Sequence, residues 1–126
     1  MTGPASTDGE VYAAISTSIV QAFKRYYGKG PTKARTYRND NYIFCVLEGG
    51  LTTSEETLLQ AGQEELIRTY RERFEEAVSD ELCVRVAALI GHEVVGYHSQ
   101  IVFEPEPRVF EIFVLGDEIA PATGST

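Results

Sequence analysis

The chain has 126 residues, 43% of them hydrophobic and 24% charged, and its 11 basic and 19 acidic residues leave a formal net charge of −8. That length supports one globular domain whose core needs neither disulfides nor metals. No apolar run approaches the ~20 residues of a membrane-spanning helix, and the acidic surplus argues against nucleic-acid binding through the general surface.

In chain order, Thr7-Asp8-Gly9-Glu10 has the spacing of a capping box, and Val11, Ile15, Ile19, Ala22, Phe23 and Tyr26 follow at helical spacing. Gly28 and Pro31 stop that helix, which is predicted over residues 8–27. Residues 33–38 and 42–47 read as a hairpin around Asn39-Asp40-Asn41. The second of these strands is apolar at every position, the pattern of a central strand covered on both sides. Glu48-Gly49-Gly50 ends it.

Two overlapping capping boxes follow, Thr52 with Glu55 and Thr53 with Glu56. They open a long helix with an apolar stripe of Leu59, Leu66, Tyr70, Phe74 and Val78, interrupted or bent near Gly62. Glu64, Glu65, Arg68, Arg71, Glu72, Glu75 and Glu76 form its expected solvated, salt-bridged face. Ser79-Asp80 has the chemistry of a fresh cap, predicting a shorter helix through Leu82, Val86, Leu89 and Ile90 to Gly91. Residues 94–103 and 108–115 form a second strand pair.

The order α-β-β-α-α-β-β predicts an α+β two-layer sandwich, a four-stranded antiparallel sheet with helices on one face. A single domain is expected over residues 8–115, with a flexible N-terminus (1–7) and a disordered tail (116–126). The first ten residues lack the basic and apolar regions of an export signal, and the two cysteines are unclustered, so a reducing cytoplasm is the expected compartment. Cys45 and Cys83 read as small buried hydrophobes.

The strongest local signal lies in residues 24–38, which hold Lys24, Arg25, Lys29, Lys33, Arg35 and Arg38 and no acidic residue. Removing those six positive charges from the net −8 leaves −14 on the rest of the chain. The basic side chains, with Gly28 and Gly30 supplying backbone N–H groups, make a candidate site for an acidic protein surface or a small anion. The bland reading is a helix stop followed by a charged strand edge that discourages strand addition. The segment is no nucleotide-hydrolysing phosphate loop, because it lacks GxxxxGK[ST] and follows a helix where that motif precedes one. Tyr26, Tyr27, Tyr37 and Tyr42 interleave with the basic residues, yet no nucleic-acid signature accompanies them.

Catalysis finds little support. His92 and His98 are the only histidines, and on one strand they stand about 20 Å apart, too far to share a metal. Asp40, Glu48, Glu55 and Glu56 are candidate acid–base carboxylates near the hairpin end, but helix capping already accounts for two of them. No nucleophile elbow and no cofactor motif is present. A binding module is the expected class, and a small sheet with an apolar edge also suits pairing with a second copy.

Gly28-Lys29-Gly30-Pro31, then Leu47-Glu48-Gly49, Leu51-Thr52 with Glu55 and Leu58-Leu59, occur in that order. A long Arg-containing helix follows, then Gly91, Val94-Val95-Gly96, Ser99, and a closing run from Val109 to Leu115. In this combination the chain resembles the MpsC family, named for a sodium-translocating, membrane-potential-generating system. Thr53-Ser54 departs from the proline-containing helix start expected there, a neutral change for a cap. The resemblance implies a small cytosolic protein accessory to a membrane cation or inorganic-carbon uptake system, with a membrane transport protein as partner. It carries no catalytic residues with it. A small-anion or nucleotide sensor is the rival reading.

Overall fold

The structure, a computed structural model, describes residues 8–119. Helix α1 (Asp8–Tyr27) begins with Asp8 and Glu10 and ends with Lys24 and Arg25, each sign placed where it complements the helix dipole. It buries Ile15, Ile19, Ala22 and Phe23, the face its spacing predicts. The expected capping residue Thr7 lies outside the described residues. Strands β1 (Lys33–Asn39) and β2 (Tyr42–Glu48) pair as the predicted hairpin.

The polar stretch after β2 folds into α2 (Thr53–Gln60) and α3 (Glu64–Ile90). Both capping-box bonds of Thr52 and Glu55 are present at the start of α2. The two helices divide at Gly62, whose φ of +75° ends the first. No break occurs at Ser79-Asp80: the Ser79 hydroxyl donates to the Glu76 carbonyl of its own helix instead of capping a new one, so α3 runs through. Strands β3 (His92–Val102) and β4 (Arg108–Glu118) complete an antiparallel sheet of order β1-β2-β4-β3.

The fold is the predicted α+β sandwich, with three helices against one face of four strands. Two expectations need correction. First, residues 116–118 belong to β4, and the Ile119 amide donates to the Gly91 carbonyl at 2.9 Å, so the start of the expected tail is built into the sheet. The rest of that tail and the expected flexible N-terminus lie outside the described residues. Second, the described residues cover β2 on one side only. Ile43, Cys45 and Leu47 are buried, while Phe44 and Val46 on the other side are half-exposed. The helices all lie on the first side because α1 packs on β1 and on α3, and α3 packs on β3.

The core runs from α1 and α3 onto the inner positions of β2 and β4, where Phe113 is fully buried among Ile43, Cys45 and Leu115. One close approach fixes how β2 leaves the sheet. Gly49 has φ +77°, and a Cβ built there would lie 2.1 Å from Thr32 Oγ1, whereas one built at Gly62 meets nothing within 4 Å. Both Gly→Ala variants carry the left-handed penalty of about 1–2 kcal/mol. Gly49→Ala must also displace Thr32, so its loss of stability is expected to exceed that of Gly62→Ala by roughly another 1 kcal/mol. Urea unfolding midpoints of the two variants measure the difference.

Candidate functional site

The largest departure from a simple apolar core is a chain of buried polar side chains along α3. The helix turns inward the stripe Ile67, Arg71, Glu75, Leu82 and Val86. Leu66 and Tyr70, one residue away from the first two, stay about half exposed at 54% and 48%. Arg71 and Glu75 were expected on the solvated face, yet only 3% and 2% of their surface reaches solvent.

Arg71 grips Glu55 of α2 with two parallel bonds, Nε to Oε2 at 2.7 Å and Nη2 to Oε1 at 2.6 Å. Its Nη2 also donates to the Gly50 carbonyl at 3.1 Å, and its guanidinium lies 4.0 Å from the ring centroid of Tyr27. Burial alone would raise the Glu55 carboxyl. The Arg71 hydrogen bonds, the Thr52 amide and the Arg71 charge outweigh it and hold Glu55 below the ordinary carboxylate range. Glu55 therefore caps α2 and anchors α3 at once.

Tyr27 connects this pair to a second cluster, because its hydroxyl donates to Glu75 Oε2 at 2.9 Å. Glu75 faces Glu111 of β4, which is fully buried, and Ser99 of β3 touches Glu75 Oε1 and Glu111 Oε2 together. A hydroxyl has one proton, so Ser99 donates to one carboxylate while the other carboxyl, protonated, donates to it. Tyr97 donates to the remaining oxygen of Glu111. Burial, then the Glu75 charge, push the Glu111 carboxyl far above the ordinary range, against the opposing bonds from Ser99 and Tyr97. The pair thus holds a proton where an exposed pair would hold none. A cleft of about 190 Å³, lined by Glu72, Glu75, Glu76, Tyr97, His98 and Ser99, reaches it from solvent.

The sequence-predicted site residues do not converge on one surface. Gly30 packs against Lys24, its position for a Cβ only 3.1 Å from the lysine Cβ, so Lys24, Gly28, Lys29 and Gly30 share one corner at the end of α1. Arg25 turns aside to pair with Glu81 of α3. Arg38 lies near the hairpin turn, where its Nε donates to the Asp40 carbonyl at 2.9 Å. Lys33 and Arg35 sit at alternate positions of edge strand β1, on the side away from the helices. The groove that reaches Lys33 also carries Glu48, Glu56 and Glu106, surroundings that repel an anion.

Of the candidate acid–base carboxylates, Glu55 is committed to Arg71. Among the described residues no three His, Cys, Asp or Glu side chains come together to hold a metal. Cys45 and Cys83 are free thiols, and burial pushes Cys45 up to about 11, which leaves it unreactive near neutral pH.

The 28–31 loop and the segment after β2 meet over this network. Pro31 packs on Gly50, the Thr32 amide donates to the Glu48 carbonyl at 2.9 Å, and Gly50 in turn accepts from Arg71. Two of the stretches that carry the resemblance named above are thus one structural unit. Residues 7–117 match the family described as a Na+-translocating membrane potential-generating system (MpsC). The chain belongs to the MpsC family. No curated protein and no solved structure matches it. No helix among the described residues is long and apolar enough to cross a membrane.

Two predictions test the network. Replacing Arg71 with Met strands the buried Glu55 carboxylate and is expected to cost about 3–5 kcal/mol, whereas Glu55→Met with Arg71→Met should recover most of that. What remains lost in the double variant is the Glu55 half of the capping box, its bond from the Thr52 amide, about 1 kcal/mol. Urea unfolding of both variants measures the recovery.

The carboxyl pair makes stability depend on pH with a definite sign. Folding takes up a proton wherever Glu111 is protonated in the folded chain and ionised in the unfolded one. Stability is therefore expected to fall as pH rises above the ordinary carboxylate range, by at most about 1.4 kcal/mol per pH unit for one proton. Glu55, held low, acts oppositely and only below that range: its contribution is lost as pH falls through its folded value. Tyr27 and Tyr97, both raised chiefly by burial, stay neutral throughout. Unfolding free energies at a series of pH values from 4.5 to 8 should decline for the wild type and flatten for Glu111→Gln.

Proposed function

We propose that the chain is a non-enzymatic accessory or regulatory module of the membrane system for which its family is named, bound to a membrane transport protein on the cytoplasmic side. The observation that carries this reading is the corner formed by Lys24 and Lys29. Two exposed lysines flank a loop that packs back on α1 and, through Pro31 and Gly50, on the buried Arg71. A cationic pair on a loop packed against the helical layer, on a chain of net charge −8, suits an acidic surface on a partner. Such pairing speeds encounter and sets orientation more than it adds affinity. The free thiols of Cys45 and Cys83 agree with a reducing compartment.

The small-anion reading is weaker, because the groove at Lys33 is ringed by carboxylates. Nucleic-acid binding is weaker still, because the basic side chains are dispersed rather than gathered in a stripe.

The test is a pull-down of tagged protein from native lysate at low salt. Wild type is expected to recover a membrane transport protein, and Lys24→Glu with Lys29→Glu should reduce that recovery at least tenfold while the melting temperature stays within a few degrees. Equal recovery by wild type and variant would remove the lysine corner from the reading.

A further inference from the structure

Among the described residues, three helices cover one face of the sheet and nothing covers the other. Strand register arranges the open side in rows that run across all four strands. One row is Arg35, Val46, Phe110 and Gln100. The next is Tyr37, Phe44, Ile112 and His98, and the third is Asn39, Tyr42, Val114 and Gly96. Tyr37 stacks on Phe44 with centroids 5.3 Å apart, and Tyr42 is 50% exposed. The middle of the face is thus apolar on both central strands, a contiguous patch of the kind that soluble chains cover.

Charge divides along the strands. Arg35 and Arg108 lie toward one end of the face together with Lys33, whose charge is partly offset by Glu48 in its own row and Glu106 in the adjoining groove. The opposite end carries Glu93, whose Cβ lies beside Gly116 on this side, with Asp40 exposed at the turn and Glu118 exposed at the end of β4. Glu104 and Glu106 stand in the connection between β3 and β4, beyond the basic rows, and Arg38 falls on the helix side of β1.

This polarity makes the face complementary to itself. A second copy, turned by 180° about an axis lying in the interface and running across the strands, lays apolar rows on apolar rows. The same rotation brings each basic end over the other copy's acidic end. We propose that the open sheet face joins two copies of this chain in an isologous dimer with the strands of the two sheets antiparallel.

Size supports that occupant. With strands ~4.8 Å apart and ~3.3 Å per residue, the face covers roughly 600 Å² per copy, about 1,200 Å² in total. That is the lower limit of stable protein interfaces, and it suits a dimer that assembles at roughly micromolar concentration. The dimer leaves the Lys24 and Lys29 corner outside the interface, because α1 lies on the other side of the sheet. Two such corners on one particle would strengthen docking by avidity. The dimer and the partner contact therefore stand or fall by different residues.

Sedimentation velocity over about 1 to 200 µM reads the mass directly. The expected result is a concentration-dependent doubling of the 13.9 kDa chain. Ile112→Lys, at the centre of the face, should abolish it with the circular dichroism spectrum unchanged. A second set of variants keeps the result independent of that core-adjacent change. Lys33→Glu with Arg35→Glu should be monomeric alone, as should Glu93→Lys with Glu118→Lys, and mixing the two should restore a dimer. The first variant is acidic at both ends and the second basic at both, so each repels its own copy and attracts the other, and a mixture that stays monomeric overturns the proposal. A wild type that remains monomeric at 200 µM also overturns it, and so does a dimer that survives Ile112→Lys, which would join copies through an edge strand instead.

Discussion

The buried pair of Arg71 and Glu55 is the constraint on which the layout of the helical layer depends. One guanidinium ties its own helix α3 to three other parts of the chain: the first turn of α2, the Gly50 carbonyl and the ring of Tyr27 at the end of α1. Taking both charges out of water costs about as much as their attraction returns, so the pair contributes little net stability compared with a well-packed apolar alternative. What it supplies is registry. A methionine in place of Arg71 could slide along its neighbours, whereas a fork with fixed donors accepts one position of α2 and one course for the segment after β2. Because Pro31 rests on Gly50, the 28–31 loop takes its position from the same group.

The second buried cluster follows from the first by helix geometry. Residues 71 and 75 are one turn apart, so once Arg71 is turned inward Glu75 must be too. Glu75 then needs partners in the core. Tyr27 of α1, Ser99 of β3 and Glu111 of β4 supply them, and with only one mobile proton per hydroxyl the cluster closes only if one carboxyl keeps its proton. The two clusters set opposite electrostatic demands along one chain of contacting side chains: Glu55 must be ionised to hold Arg71, and Glu111 must stay neutral to sit beside Glu75. Tyr27 separates them, presenting its ring to the cation and its hydroxyl to the acid.

Much of the fold was legible because its first half uses apolar periodicity in the ordinary way. The stripe of Ile15, Ile19, Ala22 and Phe23, the hairpin around Asp40 and the cap at Thr52 all carried local signals that tertiary packing left in force. In α3 two adjacent stripes compete. Leu66, Tyr70 and Phe74 read as the buried one because they are apolar, and Ile67, Arg71 and Glu75 won because their partners lie on distant segments that no local pattern reveals. One clue was available. Glu111 falls at the same parity as Val109, Phe113 and Leu115 on β4, and a lone carboxyl on the inner face of a strand must find a partner in the core. The basic segment misled for a different reason. Six charges that are neighbours in sequence pass from a helix through a loop into a strand, and the period of two on β1 sends Lys33 and Arg35 to the side opposite α1.

That separation changes what the cationic segment can mean. A single patch of six charges would call for one strongly acidic partner or a polyanion, and its binding would be steep in salt. The structure instead spends Arg25 on Glu81, turns Arg38 to the hairpin carbonyl, and divides the rest between a corner on the helical layer and the end of an open sheet. The sheet is the partition. On its covered side, buried ion pairing and a retained proton specify how helices and loops sit, and the lysine corner depends on that specification. On its open side, apolar rows end in basic residues one way and acidic residues the other, an arrangement that a copy of the same surface satisfies by rotation alone. The partner contact and the self-association proposed above thus fall on separate faces of one sheet.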